Sequence, residues 1–337
     1  MRRIVLKKLL IPLVSICCCL SFGVAEGMQS MEDLIETDSD FMLMMRYSPN
    51  EIIAHLRANP YVNDYHLFKV ISSNYISSKA KLEALQLIIQ KLEHSTLYDI
   101  KRIKELTLVC AAQFGEIDLV KFLFEQGVRI DARDKEGNTA LHYAMRGVDE
   151  DLVVPVRRWV ITPGLVKFLV NNGADFNIKN QNGETPLDML LYSFNNRKIE
   201  NGFYIEIQKE EDDAKNILEI LSFLKEHKVD ITSIRQKIFA GALKKDWRAI
   251  LEFVLNIGAD INEPIDKNGT ALHFAAQTGN AKLVKFLLQN KADSTVLDQN
   301  GQTPTELAQQ EIDDYPQRWN RDMYTSILKM LTPKPVE

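Results

Sequence analysis

Apolar residues recur along this chain at helical spacing. Leu82, Leu85, Ile88, Ile89 and Leu92 form a stripe across 78–93, the signature of a helix with one buried face. Leu165, Val166, Phe168 and Leu169 crowd one side of a shorter segment, and Leu283, Val284, Phe286 and Leu287 repeat that arrangement. Gly127, Gly173 and Gly258 follow such segments, where a left-handed residue is wanted to cap a helix. Asn182-Gly183, Asn268-Gly269 and Asn300-Gly301 are tight-turn dipeptides suited to a hairpin tip. Thr139, Thr185, Thr270 and Thr303 then open the next helix, with Pro186 and Pro304 in its first turn. The predicted unit is hairpin, helix, turn, helix.

The units repeat. EGNTALHYA (136–144), NGETPLDML (182–190), NGTALHFAA (268–276) and NGQTPTELA (300–308) align with one another. So do LVKFLFEQGVRID (119–131), LVKFLVNNGADFN (165–177), ILSFLKEHKVDIT (220–232), ILEFVLNIGADIN (250–262) and LVKFLLQNKADST (283–295). The step from Asp260 to Asp293 matches the period of roughly 33 residues that marks one class of solenoid repeat. One such unit leaves an apolar face uncovered, so neighbours must stack. The spacing of Thr139-Ala-Leu-His142-Tyr-Ala144, of Thr270-Ala-Leu-His273-Phe-Ala275 and of Thr185-Pro186-Leu187, with Gly173-Ala174-Asp175 and Gly258-Ala259-Asp260, resembles the ankyrin repeat family. The likeness covers about residues 105–331. It implies a mainly α fold: a helix-turn-helix solenoid with short β-hairpin fingers and a helical N-terminal cap, forming one elongated array.

The expected units are 105–133, 134–179, 180–232, 233–264, 265–297 and a C-terminal cap at 298–331. The step from Arg129 to Asp175 is longer than one period, which implies an insertion near 148–162 that includes Arg157, Arg158 and Trp159. The step from Asp175 to Asp230 is longer still, which implies a second insertion near 192–215. From Asp230 to Asp260 the step falls short of a period. That unit has no Thr-Pro-Leu-His equivalent, so helices without a finger are expected there. The repeat pattern breaks after Ala308, and a last helix is expected near 321–331. Residues 26–104 read as degenerate helical pairs, with one helix opening at Pro49 and ending at Asn59-Pro60. Residues 26–47 are expected to be loosely ordered.

The N-terminus has a different character. Arg2, Arg3, Lys7 and Lys8 precede an uncharged run from Leu9 to Ala25, with Gly23 and Ala25 as small residues at its end. Basic, apolar, then small is the pattern of a secretory signal. The run is at the short limit for a bilayer span, which takes roughly 20 residues, so an uncleaved inner-membrane anchor is the alternative. The expectation is a signal peptide at 1–25 and export to the periplasm or beyond. This bears on charge. The whole chain has 41 basic and 46 acidic residues, net −5; without four leader cations it has 37 against 46, net −9. Such a balance argues against a nucleic-acid binder. Cys17, Cys18 and Cys19 lie in the leader, which leaves Cys110 alone and no internal disulfide.

Residues 26–337 contain no Gly-rich phosphate loop, G-x-S-x-G elbow, H-E-x-x-H or C-x-x-C pair. Six histidines lie scattered without metal-ligand spacing. Cys110 and Tyr143 read as core residues. The acidic run Glu210–Asp213 lacks the alternating ligands and Gly of a calcium loop, and reads as solvated. The reading is therefore non-enzymatic, with no cofactor and no metal.

The family resemblance implies two further things. His142 and His273 would hydrogen-bond between units, and protein partners would be recognised at hairpin tips and at the ends of first helices. In this chain those positions are Gln113 and Phe114, then Arg133, Lys135, Glu136, Asn138 and Arg146. Gln181 and Glu184 follow, then Asp266, Lys267, Gln277 and Thr278, and last Gln299 and Gln302. Trp159 joins them because Trp and Arg are enriched at binding hot spots. The expected function is an exported module that binds a protein, a host protein among the candidates, and the expected source is a bacterium. The alternative is an anchored structural or tethering protein of the cell envelope.

Overall fold

The computed structural model of the chain describes residues 49–58, 64–73, 76–93, 99–149, 159–194, 210–267, 269–314 and 321–332. The leader, the Met-rich segment 26–47 and Arg157 and Arg158 lie outside these residues. The chain divides into two compact units, Met1–Ile207 and Gln208–Glu337. Each is taken by itself.

The first unit runs α1 (Pro49–Ala58), α2 (Asp64–Ser72), α3 (Ser78–Glu93), α4 (Ile100–Gln113), α5 (Ile117–Glu125) and α6 (Ala140–Arg146). A two-residue antiparallel pair follows, β1 (Val148–Asp149) with β2 (Trp159–Val160), then α7 (Pro163–Asn171) and α8 (Pro186–Met189), which runs into a 3₁₀ turn at Leu190–Phe194. First helices of successive pairs pack on one another, α2 on α4, α4 on α6 and α6 on α8. Second helices form another row, α1 on α3 and α3 on α5. Between the rows lie the residues that the helical spacing marked, with Leu85, Ile88, Leu119, Leu123, Leu165 and Leu169 fully buried.

The α2–α3 pair therefore stacks as a repeat does, although its sequence carries no repeat signature. The predicted boundary at 104/105 cuts through α4. What joins α3 to the next pair is a buried ion pair. Lys81 on α3 donates from Nζ to the Glu116 carboxylate and to the Ile71 carbonyl at 2.8 Å, and Glu116 also accepts from Ser78 Oγ at 2.8 Å. Removing either partner would strand a buried charge, a far larger loss than breaking a surface pair.

The second unit runs α9 (Glu210–Glu226), α10 (Thr232–Lys244), α11 (Arg248–Asn256), α12 (Ala271–Gln277), α13 (Ala281–Gln289), α14 (Pro304–Asp314) and α15 (Arg321–Leu331). Here α12 packs on α14, while α9 packs on α11 and α13 on α15. The acidic run at 210–213, expected inside an insertion, is instead the first turn of α9. The stretch after Ala308, expected to break the pattern, continues α14 to Asp314. Both differences have one cause: polar residues continue a helix on its exposed side as readily as they form a loop. The last helix closes the unit with Tyr324, Ile327 and Leu331 buried, and Tyr324 Oη donates to the Gln277 carbonyl at 2.9 Å.

Helix ends follow one rule. Gly127, Gly173 and Gly258 have φ of 80°, 86° and 91°, the left-handed conformation that costs glycine nothing. Lys228 and Lys291 occupy the same position with φ of 56° and 67°, although a side chain is penalised there. Lys291→Gly is expected to stabilise the fold by about 1 kcal/mol, and Gly258→Val to destabilise it by about 1–2 kcal/mol. Urea unfolding checks both, and a destabilising Lys291→Gly or a stabilising Gly258→Val would show the cap register to be wrong.

Candidate interaction surface

Each finger is a short loop closed across its base. Asp134 N–H donates to the Asn138 carbonyl (3.0 Å), Asn180 N–H to Glu184 (2.9 Å), Ile265 N–H to Gly269 (2.9 Å) and Asp298 N–H to Gln302 (2.9 Å). Bridges pair Arg133 with Thr139 and Asp266 with Gly269. A short polar side chain holds three of the loops from inside. Asp134 Oδ1 accepts from Asn138 N–H (2.7 Å), Asn180 Oδ1 from the Asn182 and Glu184 N–H groups (both 3.0 Å), and Asp298 Oδ1 from those of Asn300 and Gln302 (2.8 and 2.9 Å). Such residues compete for nearby backbone donors and so favour turns.

The threonine after each finger caps the next helix, and the residue three positions on reaches back to it. At α6 that residue is His142, whose Nδ1 accepts the Thr139 N–H at 3.0 Å. With Nδ1 accepting, Nε2 carries the proton, and it donates to the Glu184 carbonyl of the following finger at 3.2 Å. His273 repeats this, with Nδ1 accepting from Thr270 N–H at 3.2 Å and Nε2 donating to the Gln302 carbonyl at 3.0 Å. At α8 and α14 the reaching residue is an acid. Asp188 accepts from Thr185 N–H (2.9 Å) and Glu306 from Thr303 N–H (2.7 Å). A carboxylate has no proton to pass on. Histidine thus stands where a finger follows, and acid where none follows among the described residues.

The glycines agree. A Cβ on Gly137 would sit 3.3 Å from the Asn180 and Gln181 backbone, and one on Gly269 3.1 Å from Asp298 Cβ. At Gly183 and Gly301 there is nothing within 4 Å. Each unit therefore holds one pair of touching fingers. In the first, Gln181 N–H donates to the Glu136 carbonyl (2.8 Å), Gln181 Nε2 to the Lys135 carbonyl (2.6 Å) and Asn180 Nδ2 to Asn138 Oδ1 (3.0 Å).

Electrostatics follow this architecture. Burial holds the His142 imidazole below its usual range, despite the Glu184 carbonyl and the Asp134 charge. Burial, then the Asp134 charge, push the Tyr143 phenol well above its ordinary value, and its Oη donates to Asp134 Oδ2 at 2.7 Å. Burial acts to raise Glu184 but is outweighed by donors from Asn180, Tyr192 and Asn182, so its carboxyl lies below the usual range.

The predicted positions divide in two. Asn138, Gln181, Glu184 and Gln302 use their side chains or carbonyls to join fingers or rows, as above. Arg133, Lys135, Lys267, Gln277, Thr278 and Gln299 present exposed surface, Asp266 lies exposed at its bridge, and Glu136 is half-buried. Gln113 and Phe114 are half-buried at the end of α4, and Arg146 at the end of α6. Trp159 pairs with Asp149 in β2, which places the first insertion directly after α6. Cys110 is buried, as expected of a core thiol.

The structure adds positions that the motif search missed. Asp246 has φ 53° and Gly279, one repeat period later, φ 71°, so α10 and α12 end in the same turn. That register aligns Lys244 with Gln277 and Gln310, each one period from the last. A search on the turn rather than on Thr-Pro-Leu-His would have found Lys244.

Comparison with known proteins agrees with this geometry. Residues 108–153 and 238–315 match models described as ankyrin repeats, in many and in three copies, and residues 136–181 match a single ankyrin repeat. An L-asparaginase of Dirofilaria immitis is 30% identical over 199 residues, 58% of this chain and 28% of that protein. An ankyrin repeat protein of Acanthamoeba polyphaga mimivirus is 34% identical over 84 residues, 25% of this chain and 10% of that one. The chain thus spans less than a third of either curated relative. The crystal structure of an ankyrin repeat domain from Acinetobacter baumannii AYE is 24% identical, covers 67% of this chain and 96% of that one, and has a TM-score of 0.44.

The neutral relay has a pH signature. For His142 the unfolded imidazole titrates near 6.5 and the folded one lower, so the unfolded state takes up its proton first as pH falls. The contribution is complete above about pH 6.5 and is lost as pH falls toward the folded value. His142→Gln is expected to cost about 1–3 kcal/mol at neutral pH by orphaning buried groups. Denaturant melts should show that deficit narrowing at acidic pH, and a deficit that widens would contradict the neutral relay.

Proposed function

We propose that this chain, which belongs to the ankyrin repeat family, is an exported, non-enzymatic module that binds a protein partner. Ankyrin repeats are generally protein–protein interaction modules, and the finer reading rests on one observation. The core, the caps and the finger pairs account for the apolar and relay residues, while in the second unit Lys267 and Gln299 on the fingers and Gln277 at the end of α12 present exposed side chains that none of those joints uses. Extended surfaces of this kind are what stacked repeats offer a partner. Among the described residues no His, Cys, Asp or Glu set is grouped to hold a metal ion. The activity named for the asparaginase relative belongs to a protein of which this chain spans 28%, and we read that likeness as one between repeat arrays.

Export is proposed from the leader: cations, an uncharged run from Leu9 to Ala25, and the small residues Gly23 and Ala25 at its end. No helix among the described residues is long and apolar enough to cross a membrane. Expressed with its native leader, the chain is expected to yield a mature protein that begins at Glu26, as intact mass will show, and to capture a partner from periplasmic or host extract. Lys267→Glu with Gln277→Glu, both in the second unit, is expected to weaken that capture by about tenfold or more with an unchanged melting temperature. Retention of residues 1–25 would favour the tethering alternative, and capture indifferent to both substitutions would remove this surface from the reading.

A further inference from the structure

The second unit, residues 208–337, has an uneven distribution of charge across its first helices. Helix α10 carries Arg235, Lys237 and Lys244 and no acid. Lys237 and Lys244 are exposed and seven residues apart, so they share one helical face. The carboxylates near them are already engaged. Asp230 accepts from Thr232 N–H and Oγ (2.9 and 2.7 Å), Asp246 pairs with Arg248 Nε (2.9 Å), and Asp260 accepts from Asn262 N–H (2.8 Å). No finger precedes α10, because the helix itself begins about a turn and a half before the position at which Thr270 starts α12. That face is therefore uncovered.

The opposite end is acidic. Gln310 on α14 is the equivalent of Lys244, and Asp313 and Asp314 lie one turn beyond it. Among the described residues they accept only from neutral amides, Asp313 from Gln309 Nε2 (2.9 Å) and Asp314 from Gln310 Nε2 (3.4 Å). Both are exposed and stand in the last turn of α14. Carboxylates there oppose the helix dipole, so the fold gains nothing from them. Between the ends, α12 presents the uncharged Gln277 and Thr278. Asn280 Nδ2, at the start of α13, donates to Asp246 Oδ2 at 3.3 Å, which ties the turn after α10 to the turn after α12.

We propose that this face is a polarised docking surface for an extended polypeptide segment that carries carboxylates at one end and cations at the other. The acidic end lies over Lys237 and Lys244, and the basic end against Asp313 and Asp314. The ends stand two repeats apart, with the turns after α10 and α12 joined by Asn280 and Asp246 and α12 packed on α14, so an extended strand needs about six residues or more at ~3.3 Å apiece to join them. Charge complementarity selects this occupant. A nucleic acid or a uniformly acidic protein would be repelled at α14, and a uniformly basic one at α10. The proposal rests on the interaction reading given above and names the partner's chemistry.

The test is selection of binders by the immobilised full chain from a random peptide library long enough to span the face. The enriched peptides are expected to hold acidic and basic residues in separate halves. Lys237→Glu with Lys244→Glu should weaken them about tenfold and shift the selection toward peptides basic at both ends. Asp313→Lys with Asp314→Lys should shift it toward peptides acidic at both ends. All four positions are exposed, so unchanged thermal melts confirm that neither variant acts through folding. Enriched peptides without charge segregation, or equal binding to both variants, overturn the polarity and leave the general interaction reading standing. A selection that yields no binder overturns the proposal outright, and the capture experiment judges the broader reading independently.

Discussion

One hydrogen bond organises each unit: a buried neutral imidazole that hands its Nε2 proton to the backbone of the next finger. His142 and His273 are 1% and 0% exposed, so both ring nitrogens must find partners within the protein. Nδ1 takes the N–H that every helix start leaves unsatisfied, and this choice dictates the tautomer. Nε2 is then a donor, and only a carbonyl from the neighbouring finger is in reach. Capping and stacking thus become one event. Gly137 and Gly269 are part of the same constraint, since a side chain there would hold the second finger away from the first. Where Asp188 and Glu306 replace histidine, capping survives without the link onward.

Much of this was legible because the motif residues have a single physical purpose. Thr before the helix, His three residues on and Gly at the turn are each demanded by backbone donors or by φ, and the structure places them accordingly. What was hidden is what the helical pattern tolerates. Lys228 and Lys291 take the left-handed cap position that glycine marks elsewhere, so a search for glycine passes over them. Helix α10 hides its register because a longer helix replaces the finger and Asp246 takes the place of Gly279. Lys81 lies next to the apolar stripe of 78–93 and is buried against Glu116, a partner distant in sequence that no local pattern reveals.

The interaction surface was legible only in outline. Equivalence by period named a zone of finger tips and helix ends, but not which of its residues the framework would use. Asn138 and Gln181 look like tip residues and serve as joints between fingers, and the Glu184 carbonyl ties its finger to α6. Lys244, which the motif does not reach, stands in the same row as Gln277. A repeat fold separates these roles: the joints are fixed by hydrogen bonds to backbone, and the positions one turn away vary without cost to the stack. Charge can therefore be arranged along the face, as it is between α10 and α14, while the core stays the same.

The tautomer of the two histidines tests the central claim most directly. Nitrogen chemical shifts of the imidazoles at neutral pH are expected to show Nε2 protonated and Nδ1 bare in both His142 and His273. A protonated Nδ1 in either ring, whether as the other tautomer or as imidazolium, would contradict the account, because the Thr N–H and the next finger's carbonyl could not then both be satisfied.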